Sequence, residues 1–437
     1  MSEPLIGALL LGLLFALFAA GLEVAFALGI AGLAGLLWLK GWTVGLGVIS
    51  SVAWSTSTSF SFLAVPLFVF MSAILLHSGI GAALYTAVAR WVSFLPGGLA
   101  VASVFACAIF AAVSGSSIAT AATIGMIAVP EMEKRGYHRP LIYGSLASGG
   151  TLGILIPPSI PMIIYGLMTE TSVGQLYIAG IVPGILLALL FVGYIIVLCA
   201  WRPELAPRAP LAVTWRERLG SFVEVAPVVA LIFAVLGTMY LGVVTPTEAA
   251  AVGAFVSLAL ALWKRRLRRQ ELIRSFHETA RTTCMVMLIL ICASIFSHVI
   301  ALLGVPTALI RAVTGLQLPP VAVFGLIFLI LIGVAYALEE LSVMIIILPF
   351  LFPLITGLGF DPIWFGVIMV IWLEMGLITP PVGINLFVIQ GLARNRPASE
   401  VILGATPFVF LMLLAVVILF VAPELALWLP RQMIPTR

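Results

Sequence analysis

The chain is 437 residues long, 63% hydrophobic and only 9% charged, with a net charge of +4. A water-soluble chain carries about a quarter charged residues, so lipid must solvate this surface, and a basic excess confined to short loops reads as membrane topology and not as nucleic-acid binding. The apolar runs are long and continuous, which excludes a β-barrel and leaves an all-α polytopic membrane protein with room for on the order of ten spans of about 20 residues.

The amino end, Met1-Ser2-Glu3-Pro4-Leu5, has no positive segment, and the first basic residue is Lys40, so no secretory signal peptide is expected. Apolar segments follow at about 5–20, 22–39, 61–79, 98–130, 141–168, 176–200, 221–243, 247–263, 282–303, 320–356, 361–392 and 400–427. Several exceed one span and carry internal Gly or Pro, which predicts hairpins or broken helices. Cys107, Cys199, Cys284 and Cys292 all sit inside apolar runs at spacings that fit neither a metal knuckle nor a redox pair, and read as small packing residues.

The first hairpin, 98–130, is interrupted at Ser114-Gly115-Ser116-Ser117, with Thr120 just beyond. Freed carbonyls and hydroxyls there are hard ligands for a small cation such as sodium. Serines that back-bond within a helix or pack against a neighbour give the plainer reading. The next segment, 141–168, holds Gly149-Gly150-Thr151-Leu152-Gly153 and then Pro157-Pro158-Ser159-Ile160-Pro161. Pro157 and Pro158 lack amide hydrogens and leave the carbonyls of Gly153 and Ile154 without helical partners. Such groups persist in a membrane only against protein, water or an ion.

Two polar stretches divide the chain. Residues 201–220 carry Arg202, Arg208, Arg216 and Arg218. Residues 264–281 carry Lys264, Arg265, Arg266, Arg268, Arg269, Arg274 and Arg281, and are expected as an amphipathic arm lying on the cytoplasmic surface. Such an arm is either a brace for a static part of the molecule or a topology determinant alone.

The second half repeats the first chemically altered. Gly153-Ile154-Leu155-Ile156-Pro157-Pro158 matches Gly376-Leu377-Ile378-Thr379-Pro380-Pro381 at an offset of 223 residues, and Pro130 and Gly136 meet Pro353 and Gly359 at the same offset. The hairpin 320–356 carries Glu339, Glu340 and Ser342 where the first has hydroxyls, and Glu374 precedes the second double proline. Carboxylates at membrane depth face a polar cavity or lie near the interface. Asn385, beyond the break, either bonds a solute or caps the following half-helix. Putting the basic loops inside leaves only Lys40, Arg311, Arg431 and Arg437 outside, and seventeen of the 21 basic residues in the cytoplasm. On that topology 1–210 and 211–437 form an inverted repeat with two re-entrant helical hairpins and two broken helices, the plan of many secondary transporters.

An intramembrane enzyme is not expected, because neither His-Glu-x-x-His nor Gly-x-Ser-x-Gly occurs and His77, His138, His277 and His298 are scattered; no Gly-x-x-x-x-Gly-Lys-[Ser/Thr] marks direct use of ATP. The Ser-Gly-Ser-Ser tip, the Gly-x-Leu-Ile-Pro-Pro-Ser-Ile run and Gly-Leu-Ile-Thr-Pro-Pro-Val-Gly together resemble, over nearly the whole chain, the large membrane subunit of tripartite ATP-independent periplasmic (TRAP) transporters. The resemblance implies an elevator-type, sodium-driven importer of small organic acids in the bacterial inner membrane. It implies two partners, a separate small four-helix membrane subunit and a soluble periplasmic substrate-binding protein. Sodium enters only as coupling ion, and no other cofactor is expected. One sodium site would be framed by Ser114, Gly115, Ser116 and Ser117 with Gly149, Thr151, Gly153 and Pro157. A second would be framed by the 338–342 tip, through Glu340 and Ser342, with Glu374, Gly376, Thr379 and Pro380. Solute would lie between the tips, near Ser116, Thr151, Pro158, Ser159, Pro381 and Asn385. The competing expectation is a stand-alone sodium/dicarboxylate symporter of similar hairpin architecture.

Overall fold

The computed structural model describes residues 3–207, 213–264, 267–335, 339–393 and 396–433. Arg208, Arg265, Arg266, Leu338, Arg394 and Arg437, used in the sequence reading, lie outside the described residues, as does the 210/211 boundary. Every regular element among the described residues is helical, and nine stretches are long and apolar enough to cross a membrane.

The helices run α1 (Glu3–Ala19), α2 (Val24–Ser57), a short 3-10 turn (Phe60–Leu63), α3 (Ala64–His77), α4 (Ile80–Val92), α5 (Gly98–Ser114), α6 (Ser117–Lys134), α7 (Arg139–Leu155), α8 (Ile160–Thr169) and α9 (Val173–Trp201). After a 3-10 turn at Pro203–Leu205 come α10 (Trp215–Ile232), a π turn (Phe233–Gly237), α11 (Thr238–Tyr240), α12 (Pro246–Trp263) and α13 (Arg269–Leu302). The last elements are α14 (Val305–Gly315), α15 (Pro320–Ala335), α16 (Glu340–Gly357), α17 (Pro362–Leu377), α18 (Ile384–Leu392), α19 (Ala398–Val421) and α20 (Glu424–Met433).

Sequence chemistry sets the boundaries. Thr214 with Glu217, and Thr245 with Glu248, close reciprocal capping boxes that satisfy orphan amides at the starts of α10 and α12. Asp361 accepts from the amides of Ile363 (2.8 Å) and Trp364 (3.1 Å), and Pro362 opens α17. The two long segments with internal Pro-Pro are broken as expected: α7 and α8 are separated at 156–159, α17 and α18 at 378–383. Both Pro157-Pro158 and Pro380-Pro381 bonds are cis.

Four features differ from the sequence reading. The stretch 264–281 is not a separate surface arm: from Arg269 it is the amino-terminal part of one unbroken 34-residue helix, α13. No Gly or Pro interrupts it, and at about 1.5 Å per residue it outruns a hydrocarbon core about 30 Å thick, so its charged end projects beyond the lipid. Residues 42–57, not assigned to any element, extend α2 past a kink at Gly41 (φ 71°), a conformation open mainly to glycine. The segment 400–427 is two helices, because α19 ends at Val421 before Pro423 and α20 starts afresh. Helices α4 and α14 likewise have no counterpart among the expected segments.

Two groups of helices pack around the core. In the first, α2 lies along α13, and α3 lies against both α12 and α13. A methyl at Gly32 would sit 3.1 Å from the Phe296 amide nitrogen, and Gly29 and Gly35 face Cys292 and Val299, so glycines let the two long helices approach closely. In the second, α7 is wrapped by α5, α6 and α19, with α17 and α18 alongside. At the α7–α19 crossing Gly144 and Gly404 bring backbone against backbone. Trp201, Trp215 and Trp263 are exposed beside the basic loops, the placement of an interfacial aromatic belt.

Candidate functional site

The interrupted elements converge. Helix α5 ends at Ser114, Gly115 takes the left-handed conformation (φ 62°), and Ser116 caps α6 by accepting from the Ala119 amide at 3.3 Å. The tip is knitted by hydroxyls. Ser114 Oγ and Thr120 Oγ1 are 2.7 Å apart, and Thr120 Oγ1 donates to the Ser116 carbonyl at 2.8 Å. Thr120, not singled out from the sequence as a site residue, is fixed here because it lies one helical turn after Ser116.

Helix α7 is seated against this tip through its glycines. A methyl at Gly153 would lie 2.6 Å from the Ser116 carbonyl oxygen and 2.8 Å from Thr120 Oγ1. One at Gly150 would lie 2.6 Å from Ala121 Cβ, and one at Gly149 would lie 3.2 Å from Cys107 Sγ. The Pro158 carbonyl oxygen closes on Gly115 in the same way, and a methyl there would lie 2.8 Å from it. Ser114, Gly115, Ser116, Gly153 and the Pro157-Pro158 break therefore share one oxygen-rich place, while Gly149 lies further along α7 against Val104 and Cys107 of α5, and Ser117 bonds Asn385. Thr151 is fully buried, and its hydroxyl donates to the Ser148 carbonyl at 2.7 Å. Ser159 is also buried and caps α8, accepting from the Met162 amide at 3.3 Å.

The second break has a different chemistry. Glu339 accepts from both the amide (3.2 Å) and the hydroxyl (3.1 Å) of Ser342, so it caps α16. Glu374 is 0% exposed, and neither of its carboxylate oxygens has a hydrogen-bond partner; Glu340 Oε2 is likewise buried and unpartnered. A void of about 10 Å³, lined by Glu339, Glu340, Leu373, Gly376, Val382 and Ile384, lies here. That is room for one water-sized particle. Thr379 Oγ1 donates to the Met375 carbonyl at 2.6 Å, and Pro380 and Pro381 are exposed.

Asn385 ties the two breaks together. Its amide nitrogen donates to Ser117 Oγ at 2.6 Å and to the Ala147 carbonyl at 3.2 Å, while its Oδ1 is buried without a partner.

A cavity of about 400 Å³ separates the tips. Ser114, Gly115 and Ser116 line it from one hairpin, Glu339, Glu340 and Leu341 from the other, and Ser72, Glu278 and Thr282 from α3 and α13. Of the expected solute contacts only Ser116 lines it; Thr151, Pro158, Ser159 and Asn385 are buried outside its lining, and Pro381 is exposed outside it. Glu278, 3.8 Å from His77, was missed because it sits in a basic stretch whose spacing carries no site signal. Among the described residues no group of three or more His, Cys, Asp or Glu side chains could hold a metal ion, so any cation here would be held by carbonyl and hydroxyl oxygens with at most one or two carboxylates.

Residues 11–425 match the family model described as tripartite ATP-independent periplasmic transporter, DctM component. The chain is 38% identical over 377 residues to the C4-dicarboxylate TRAP transporter large permease protein DctM of Pseudomonas aeruginosa, covering 86% of this chain and 87% of that one. It is 33% identical to the protein of the same description from Vibrio cholerae, covering 97% of each. Among solved structures it is similar in fold to the Alcanivorax borkumensis YdaH transporter, with a TM-score of 0.62 at 15% identity and 89% of each chain covered.

Proposed function

This chain belongs to the DctM family of tripartite ATP-independent periplasmic transporters, a multi-pass large permease of the inner membrane, and from that premise we propose that it imports a C4-dicarboxylate driven by sodium. Its curated relatives are permeases, not enzymes. The dicarboxylate is proposed from the descriptions those relatives carry. The family description, tripartite, supports a small membrane subunit and a periplasmic binding protein as partners.

One observation carries the sodium reading: two backbone breaks in one core, the first gathering carbonyl and hydroxyl oxygens at the hairpin tip and the second leaving buried carboxylate oxygens without a partner. At the first, the Ser116 carbonyl and Thr120 Oγ1 crowd against Gly153, with Ser114 Oγ 2.7 Å from Thr120 Oγ1. At the second, the oxygens of Glu374 have no partner, and a buried unpaired carboxylate is costly. A cation bound at the second break would offset that cost. It would also supply the positive charge that a dicarboxylate needs in a cavity whose described lining contains Glu278, Glu339 and Glu340 and no basic side chain. The matching order of hairpin and broken helix in both halves supports an inverted repeat. The dense packing within the α2–α3–α12–α13 group and within the α5–α7 and α17–α19 group, which meet mainly where α3 touches α5, supports an elevator.

The test is uptake of radiolabelled succinate by proteoliposomes holding this chain with its small subunit, given succinate-loaded binding protein outside. An inward sodium gradient is expected to drive accumulation. Equal uptake with potassium replacing sodium sinks the coupling, and no uptake with either ion sinks the substrate.

A further inference from the structure

A second cavity, of about 570 Å³, lies away from the hairpin tips. The end of α2 and the turn after it line it with Ser55, Thr56 and Ser59, α13 with Ser294, Ser297 and His298, and the end of α8 with Leu167, Met168 and Glu170. On the topology that puts the basic loops inside, the carboxyl ends of α2, α8 and α13 all face the periplasm.

The lining concentrates polar groups that the protein leaves unused. Many helical hydroxyls here fold back onto the preceding turn: Ser103, Ser145, Ser257, Ser275, Thr356 and Thr406 all donate to a carbonyl three or four residues earlier, as does Ser55 of this lining, while Thr123, Ser148 and Thr283 elsewhere do not. That habit satisfies a hydroxyl without needing water. Ser294 and Ser297 have the same carbonyls within reach, yet among the described residues they make no such bond; nor do Thr56 and Ser59, and His298 makes no hydrogen bond or ion pair. Five donor groups therefore face one cavity with their capacity unspent.

The two cavities share their walls. Helix α8 lines the inner one at Ile160 and Pro161 and the outer one at Leu167 and Met168. Helix α13 lines the inner one at Thr282 and Met285 and the outer one at Leu290, Ser294 and Ser297. The nearest lining positions are about 9 Å apart along α8 and about 8 Å apart along α13, from the helical rise. Between those stretches Ile163, Ile164, Val286 and Ile289 are buried in the common core.

We infer that the outer cavity is a cargo-binding vestibule, in which the hydroxyls of Thr56, Ser59, Ser294 and Ser297 and the His298 imidazole hold a carboxylate before it reaches the tips. This rests on the transport reading above, and adds a binding site that the two backbone breaks do not include. Glu170 at the rim is the one acidic group of the lining, and it orients the anion toward α13 and away from α8.

The experiment uses the reconstituted two-subunit permease with Cys284→Ser and Cys292→Ser, which remove the two accessible thiols, as parent. Ser297→Cys is added, and a membrane-impermeant sulfonated methanethiosulfonate is applied from outside. Ser297→Cys is expected to label and, once labelled, to lose succinate uptake by about tenfold or more, while the parent is unaffected. In a second arm, Ser294→Ala with Ser297→Ala is expected to raise the half-saturating concentration of loaded binding protein about tenfold, the loss of hydrogen bonds to a charged group, with maximal rate and sodium dependence unchanged. No labelling, or full uptake after labelling, overturns the vestibule. A parent with no succinate uptake sinks the substrate reading instead; labelling from outside then still supports the open outer mouth, and its absence still overturns it.

Discussion

Gly153 and Glu374 are the residues on which the two breaks depend most directly. At Gly153 there is no room for a side chain, because the Ser116 carbonyl and the Thr120 hydroxyl fill the space a methyl would take. Gly153→Val therefore pushes α7 off the first hairpin tip. Overpacking of this kind costs about 1–3 kcal/mol, and sodium-dependent uptake is expected to fall below detection while membrane insertion, followed by expression of a fluorescent fusion, persists. Glu374 offers the converse experiment. Glu374→Gln removes a buried charge without changing shape, so the sodium-free protein should melt no lower than the parent. What it should lose is stabilisation by the ion. A ligand at one hundred times its dissociation constant adds about 2.7 kcal/mol per site, and the sodium-induced rise in melting temperature should shrink accordingly. An unchanged rise would remove Glu374 from the second site. The glycines and prolines of both breaks were legible in the sequence because their backbone chemistry is local. The fates of Thr151, Ser159 and Asn385 were not. The Asn385 amide is spent on Ser117, 268 residues away, and the hydroxyls of Thr151 and Ser159, though bonded only three residues off, are turned from the cavity by the surrounding packing.

The broken helices carry the same logic one scale up. Both double prolines lie where a helix axis stops and another begins, and Ser159 and Gly383 start the second halves. Restoring the amide hydrogen with Pro157→Ala lets α7 continue past Leu155 and takes up a carbonyl the first site needs. Sodium affinity is expected to weaken, read as a rightward shift of uptake against sodium concentration, and Ser116→Ala should shift it in the same direction. Pro380→Ala should leave the first site's response in place and alter the second. Identical loss in all three would mean that the breaks serve folding alone. Glycine also decides how elements meet. At the α7–α19 crossing Gly144 and Gly404 stand backbone to backbone, so Gly404→Leu should abolish a monodisperse peak in size-exclusion chromatography. Hairpins and breaks could be placed from sequence because Gly and Pro punctuate long apolar runs. The continuity of α13 could not, because a change from charged to apolar composition marks the lipid boundary without marking the end of a helix.

At the scale of the whole molecule the central cavity lies between two packed groups, and it is lined by both: hairpin tips from one side, α3 and α13 from the other. A solute held there touches surfaces that an elevator would have to slide past one another. The long α2–α13 pair, with exposed Trp38, Trp42 and Trp54, presents a broad apolar face at the edge of the first group. A part that stays fixed while another moves needs anchoring, and a separate small membrane subunit is a natural anchor. The three-component arrangement then makes a clear demand. Proteoliposomes containing this chain alone, given free succinate and a sodium gradient, should show no uptake above protein-free vesicles. Adding the small subunit should not suffice with free succinate, because the cavity's described lining offers an anion no basic side chain with which to capture it from dilute solution. Uptake should appear only when loaded binding protein is supplied as well. Robust sodium-dependent uptake by this chain alone would instead make it a stand-alone symporter, with the acidic cavity neutralised by sodium before the anion arrives.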